Sequence, residues 1–160
     1  MTRTVRTLAL ALALLAGLAF AQTTIKYAHF QPGSPDQPKH AAALAFKAYV
    51  EGATGGDLQV EIYPASQLGD AATVLEGLQL GTIELGVVHD GPIASFFKPI
   101  EVLSLPYAFP NQQVAWRVFD GPFMDAFGEA MMDESDMKLL GVGDNGIRHF
   151  TNNERPIESP

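Results

Sequence analysis

From Thr24 to Val88 the chain alternates between stretches whose apolar residues repeat every second position and stretches where they repeat at helical spacing, with glycine or proline at each change. This alternation limits the fold more than any single motif does. In residues 24–30, Ile25 and Tyr27 share one face with Lys26 opposite, and a Pro/Gly/Ser loop from Gln31 to Pro38 follows, as at a strand end. From Lys39 to Glu51, Ala41, Leu44, Ala45 and Ala48 predict the buried stripe of an amphipathic helix, with Gly52 as its left-handed stop. Leu58, Val60 and Ile62 alternate with Gln59 and Glu61 up to Pro64, the pattern of a strand with one solvated face. Asp70 is placed to cap a second helix whose stripe is Ala71, Val74, Leu75 and Leu78, closed by Gly81. Ile83 to Val88 is more continuously apolar, which predicts a strand covered on both faces in the middle of the sheet. Strand and helix in alternation imply an α/β fold with a largely parallel sheet flanked by helices.

The remainder is less regular. Residues 91–110 carry Pro92, Pro99, Pro106 and Pro110 and read as loop. Two shorter helices follow, one with Val114, Val118 and Phe119 inward and one with Phe123, Phe127, Ala130 and Met131 inward, separated by Gly121-Pro122. Met137 to Val142 reads as a strand and 147–151 as extended chain. The sequence stops on Ser159-Pro160, which gives no sense of a finished domain.

Charge and composition narrow the classes of function. Ten Lys and Arg stand against eighteen Asp and Glu, a net charge of −8, which argues against nucleic acid and anionic lipid as partners. The absence of cysteine removes disulfides, thiol nucleophiles and thiolate metal sites. Arg3 and Arg6 precede an apolar run from Leu8 to Leu18 and then Ala19-Phe20-Ala21, the layout of a secretory signal peptide over residues 1–21 with cleavage after Ala21. As a membrane anchor the run falls well short of the roughly 20 residues needed to span a bilayer.

Several patterns could carry chemistry. Gly141, Gly143 and Gly146 match G-x-G-x-x-G after a predicted strand, but the β-prone stretch behind them offers no helix to hold a pyrophosphate, so they read as a turn. His29, His40, His89 and His149 lack metal-ligand spacing, and no metal or other cofactor is predicted. His29 and His89 each end a predicted parallel strand, where open α/β sheets bind ligands; each reads equally as a ligand contact or as a histidine tied to loop backbone. No G-x-S-x-G elbow or acid–base pair points to catalysis, and Asp133 and Glu134 read as solvated. Arg148, between apolar Ile147 and Phe150, is either a bidentate fork for a carboxylate or half of an internal salt bridge.

Taken together, several stretches resemble the solute-binding receptors of tripartite ATP-independent periplasmic (TRAP) transporters, the DctP-like family. They are Ile62-Tyr63-Pro64-Ala65-Ser66-Gln67-Leu68-Gly69-Asp70, Gly81-Thr82-Ile83-Glu84-Leu85, Leu105-Pro106-Tyr107 and Asn145-Gly146-Ile147-Arg148, with Arg155-Pro156-Ile157 behind. The likeness covers essentially all of 22–160. It implies a periplasmic-binding-protein-like lobe of a two-lobed receptor. Such a receptor closes on a small organic acid, a dicarboxylate or other carboxylate, and delivers it without chemistry to TRAP membrane permease subunits. It further implies that Arg148 matches the family's cleft arginine and that His29, Phe30, His89 and Asp90 match first-lobe cleft positions. In the family an arginine-bearing segment and a second lobe follow, so 22–160 is expected to be an incomplete first lobe. The alternatives are a secreted α/β enzyme acting on a small carboxylic acid, or a fragment without function. Export is directly testable: expressed in a Gram-negative host, the protein should lose residues 1–21, read by intact mass, whereas Met1 retained in a membrane fraction would mark an anchor.

Overall fold

The computed structural model describes residues 23–143 together with Gly146 and Asn153. The signal segment 1–21, the extended stretch 147–151 and Arg148 lie outside the described residues. The chain divides into two compact units, one ending at Leu105 and one beginning at Pro106.

In the first unit β1 (Thr23–His29), α1 (Pro38–Ala53), β2 (Leu58–Tyr63), α2 (Ala71–Gln79) and β3 (Leu85–Val87) alternate as expected. All strand pairs are parallel, and the order is β2-β1-β3. Ile25 pairs with Val60 on one side of β1, while Tyr27 pairs with Leu85 and His29 with Val87 on the other. Strand β1, not the 83–88 segment, is therefore central among the described strands. The apolar run of 83–88 arises from packing under α2. Ile83 is buried with Ala28 and Val74, and a Cβ on Gly86 would meet Val74 at 3.1 Å, so a bare glycine lets the helix lie close on a strand of three residues. Just before that strand, Glu84 turns its carboxylate to β1 and accepts the Lys26 N–H at 2.8 Å, and the Lys26 ammonium donates to the Thr82 carbonyl at 2.9 Å.

Alternate residues of β1 feed two layers. Tyr27 joins Ala43 and Val60 under α1, with Phe46, Val50 and Ile62 packed around them, whereas Ala28 joins Val74 and Ile83 under α2, with Phe30, Leu68, Leu78 and Val88. The predicted face of α1 is wrong. Ala41, Leu44, Ala45 and Ala48 are exposed, and the inward positions are Ala43, fully buried, with Phe46 and Val50. This helix is apolar nearly all round, so spacing does not single out a face; the large Phe46 ring, edge-on to Tyr27 at 5.6 Å, settles the rotation. The stop also shifts, because α1 runs to Ala53 and the left-handed residue is Gly55 at φ 58°. On the outer side of β2, the Lys47 ammonium donates to Glu51 and to the Val60 carbonyl, both at 2.6 Å, and Glu51 accepts the Val60 N–H at 2.9 Å. Lys47, and after it the Val60 N–H, hold the Glu51 carboxyl below its ordinary range.

For α2 the reading holds in detail. Asp70 accepts the Thr73 N–H at 2.9 Å and the Thr73 hydroxyl at 2.8 Å, and Val74 and Leu75 are buried. The stretch read as loop contains α3 (Asp90–Ile93) and a 3-10 turn (Lys98–Ser104), with Ile93, Phe97 and Ile100 buried. Prolines at helix starts, which need no N–H there, explain how a proline-rich segment still coils.

In the second unit α4 (Gln112–Phe119) is capped by Asn111, whose side chain accepts the Val114 N–H at 3.0 Å, and α5 (Pro122–Ser135) buries Met124, Phe127, Met131 and Ser135. Phe123 and Ala130, expected inward, are exposed. Met137 to Val142 forms no strand among the described residues. The corrected face of α1 gives a measurable contrast. Ala43→Leu should cost about 1–3 kcal/mol by overpacking, while Ala45→Leu should stay within about 0.5 kcal/mol. Equal losses in urea unfolding would contradict the assignment.

Candidate functional site

With the order β2-β1-β3, the chain leaves β1 toward α1 on one face and reaches β3 through α2 on the other. In doubly wound sheets this divergence leaves a crevice outside the carboxyl ends of the two neighbouring strands. The pairing of His29 with Val87 aligns those ends, so the residues following β1 and β3 stand side by side. Four sequence-predicted site residues, His29, Phe30, His89 and Asp90, are thus brought to one end of the sheet.

Their environments differ. His29 is fully buried on the α1 side, its Nε2 3.0 Å from His40 Nδ1 and its ring edge-on to Tyr27. Burial, reinforced by the nearby charges of His40 and Lys39, pushes its pKa below the ordinary histidine value. Phe30 is half-buried in the layer beneath α2. His89 is exposed, and half-buried Asp90 accepts a hydrogen bond from the Ser104 hydroxyl. The exposed polar group at this end is therefore His89, while His29 is enclosed and presents no surface.

A second element shapes the same end. Between Pro64 and Asp70 the chain turns through Ala65 (φ 51°) and Ser66 (φ 60°), consecutive left-handed residues that each carry a Cβ. Their N–H groups explain the geometry. Ala65 donates to the Gln31 carbonyl at 2.9 Å and Ser66 to the His29 carbonyl at 3.3 Å, so the turn closes over the last carbonyl of β1 and one in the loop just beyond it. Gly69, at φ 109°, completes it, and a Cβ there would come within 2.8 Å of Thr73, the residue bound by the Asp70 cap. On the other side the Gln31 side-chain oxygen accepts the Lys39 N–H at 2.9 Å, tying the first turn of α1 to the loop.

Sequence reasoning missed Gln31, His40, Ala65 and Ser66 as shaping residues. The signal for the last two was present in the turn-rich run Tyr63–Asp70, whereas no pattern pairs His40 with His29. No group of three or more potential metal ligands occurs among the described residues.

Residues 27–160 match the model of the bacterial extracellular solute-binding protein family 7, DctP. The chain belongs to this family. It is 34% identical over 147 residues to a solute-binding protein of Verminephrobacter eiseniae, covering 89% of this chain and 42% of that one. It is 28% identical over 127 residues to the 2,3-diketo-L-gulonate-binding periplasmic protein YiaO of Escherichia coli, covering 79% and 38% respectively. A crystal structure of a TRAP periplasmic solute binding protein from Haemophilus influenzae, with bound L-gulonate, superposes with a TM-score of 0.69 at 32% identity, covering 78% of this chain and 40% of that one. The chain spans about two fifths of the length of these relatives. Its parallel sheet flanked by helices is the lobe architecture of such solute-binding proteins. No helix among the described residues is long and apolar enough to cross a membrane.

Two substitutions in the turn should diverge. Gly69→Ala combines a left-handed backbone with the Thr73 clash and should cost more than about 1 kcal/mol. Ala65→Gly relieves roughly 1 kcal/mol of left-handed strain against a glycine entropy cost of about 0.5–1 kcal/mol, and should be near neutral. Thermal melts in which Ala65→Gly is the more damaging change would refute this account of the turn.

Proposed function

We propose that this protein is the extracytoplasmic solute-binding receptor of a TRAP transporter, capturing a small organic acid at the crevice beyond β1 and β3. The observation that carries this reading is the alignment of the two strand ends at the divergence of the sheet, in a chain of the DctP family. Relatives whose names record 2,3-diketo-L-gulonate or L-gulonate support a hydroxy-acid carboxylate as ligand, and one with bound succinate supports a dicarboxylate. The receptor takes up its ligand unchanged and hands it to the membrane permease subunits of the transporter. It works in the periplasm, after export and removal of residues 1–21.

Without residues 1–21, which carry Arg3 and Arg6, the net charge of −8 becomes −10 and repels an anion at long range, so capture needs a local cation of fixed geometry. In this reading Arg148 is that cation, its planar fork holding the carboxylate through two charge-assisted bonds that lysine cannot reproduce. His89 and Asp90 supply polar contacts, half-buried Phe30 forms the wall, and neutral His29, fully enclosed, backs it. Calorimetry with succinate and L-gulonate, alongside native mass spectrometry for co-purified acids, tests the assignment. Binding without turnover is expected. Arg148→Ala and Arg148→Lys should each lose about 2–5 kcal/mol, at least roughly thirtyfold in affinity. Chemical conversion of the ligand would favour the enzyme alternative. Affinities of both variants within about threefold of the parent would remove Arg148 from the site.

A further inference from the structure

The end of β1 is fastened by several bonds, and one of them joins two titratable rings. His29 Nε2 and His40 Nδ1 lie 3.0 Å apart, with the His29 ring fully enclosed and His40 half-buried near the start of α1. We propose that His29 and His40 form an acid-sensitive latch that holds the first turn of α1 against the end of β1, and with it the Phe30–Gln31 segment that borders the crevice.

The chemistry follows from the inventory of an imidazole pair. When both rings are neutral, one facing nitrogen carries a proton and the other accepts it. One added proton keeps the bond, because a cationic ring still donates to a neutral one. A second proton puts two N–H groups face to face with two like charges, and the bond is lost. On the other side of the pair, Glu61 of β2 lines the same groove as His40 but accepts the Tyr63 hydroxyl at 2.7 Å, and no acid acts on His29, for which only the Gln31 backbone, the weakest influence, favours the charged ring. From α1 it faces His40 and Lys39, both basic, and from β1 the phenol of Tyr27, whose pKa burial raises, so it stays neutral. Lys47, further along α1, is engaged with Glu51 and Val60. From the β2–α2 turn the partner is the backbone N–H of Ser66, which donates to the His29 carbonyl and does not titrate. The His29 Nδ1 atom is buried without a hydrogen bond, so a proton added to this ring finds no solvent.

The sign is set by His29. Its folded-state pKa lies below the ordinary value, so its contribution to stability is complete above about pH 6.5 and is lost as the pH falls through the folded value. Acid therefore loosens the latch and base does not. Its effect on ligand capture rests on the receptor reading, but the latch itself is measurable without ligand.

The test is histidine ring NMR on the ligand-free protein from pH 8 to pH 4.5, with amide exchange at Phe30, Gln31 and residues 39–42 corrected for the intrinsic pH dependence. The His29 and His40 rings should shift together in shared titration steps, and exchange at these amides should accelerate at least fivefold across the lower step. His40→Gln, which keeps a donor but cannot be protonated, should flatten that acceleration. Independent titration of the two rings near the ordinary value, or a pH-independent exchange rate, would overturn the latch. The parent's ring titration decides the matter even for a variant that does not fold. A latch that behaves as expected in a protein that binds neither succinate nor L-gulonate would separate this inference from the receptor assignment.

Discussion

Right-handed crossovers impose the constraint on which the other features depend. With β1 between its two parallel neighbours, the connection through α1 must cover one face of the sheet and the connection through α2 the other. Consecutive residues at the end of β1 and just past it then enter separate cores: Tyr27 and His29 lie toward α1, Ala28 and Phe30 toward α2. The same geometry parts the two crossovers at the carboxyl end of β1, where the β2–α2 turn is fastened to the His29 and Gln31 carbonyls. The folding constraint and the location of the crevice thus have one origin.

Legibility from sequence followed the strength of the local signal. The alternation of strands and helices and the Asp70 cap were readable because each rests on nearest-neighbour chemistry: side-chain period, a carboxylate three residues before the amide it accepts, glycine at a stop. The inward face of α1 was not, because six of its sixteen residues are alanine and lie on its buried and exposed sides alike, and the tertiary contact of Phe46 with Tyr27 fixes the rotation. The place of β3 misled for a related reason, since an apolar run records how much is covered and not which neighbours do the covering. In the site, the strand-end positions of His29 and His89 were legible from punctuation alone, whereas Phe30 and Asp90 came only with the family resemblance. That His29 turns inward to His40 depends on a contact across a loop, which no spacing rule encodes.

The run Tyr63–Asp70, which marks the family in the sequence, has a physical task in the fold. Backbone carbonyls at and beyond the end of a strand carry partial negative charge and need donors. By adopting left-handed backbone at Ala65 and Ser66, the turn supplies two N–H groups to these oxygens. Under the proposed function, this lowers the electrostatic repulsion that an incoming carboxylate meets at the end of β1.

The contacts of Val60 give the sheet a direction of growth. At the outer margin of β2, a lysine and a glutamate one helical turn apart occupy the carbonyl and the N–H through which a further strand would have paired. The imitation of a neighbouring strand by two side chains makes β2 a finished border, protected against edge-to-edge association. With pairing blocked at Val60, a strand that extends this sheet is favoured on the β3 side over the β2 side.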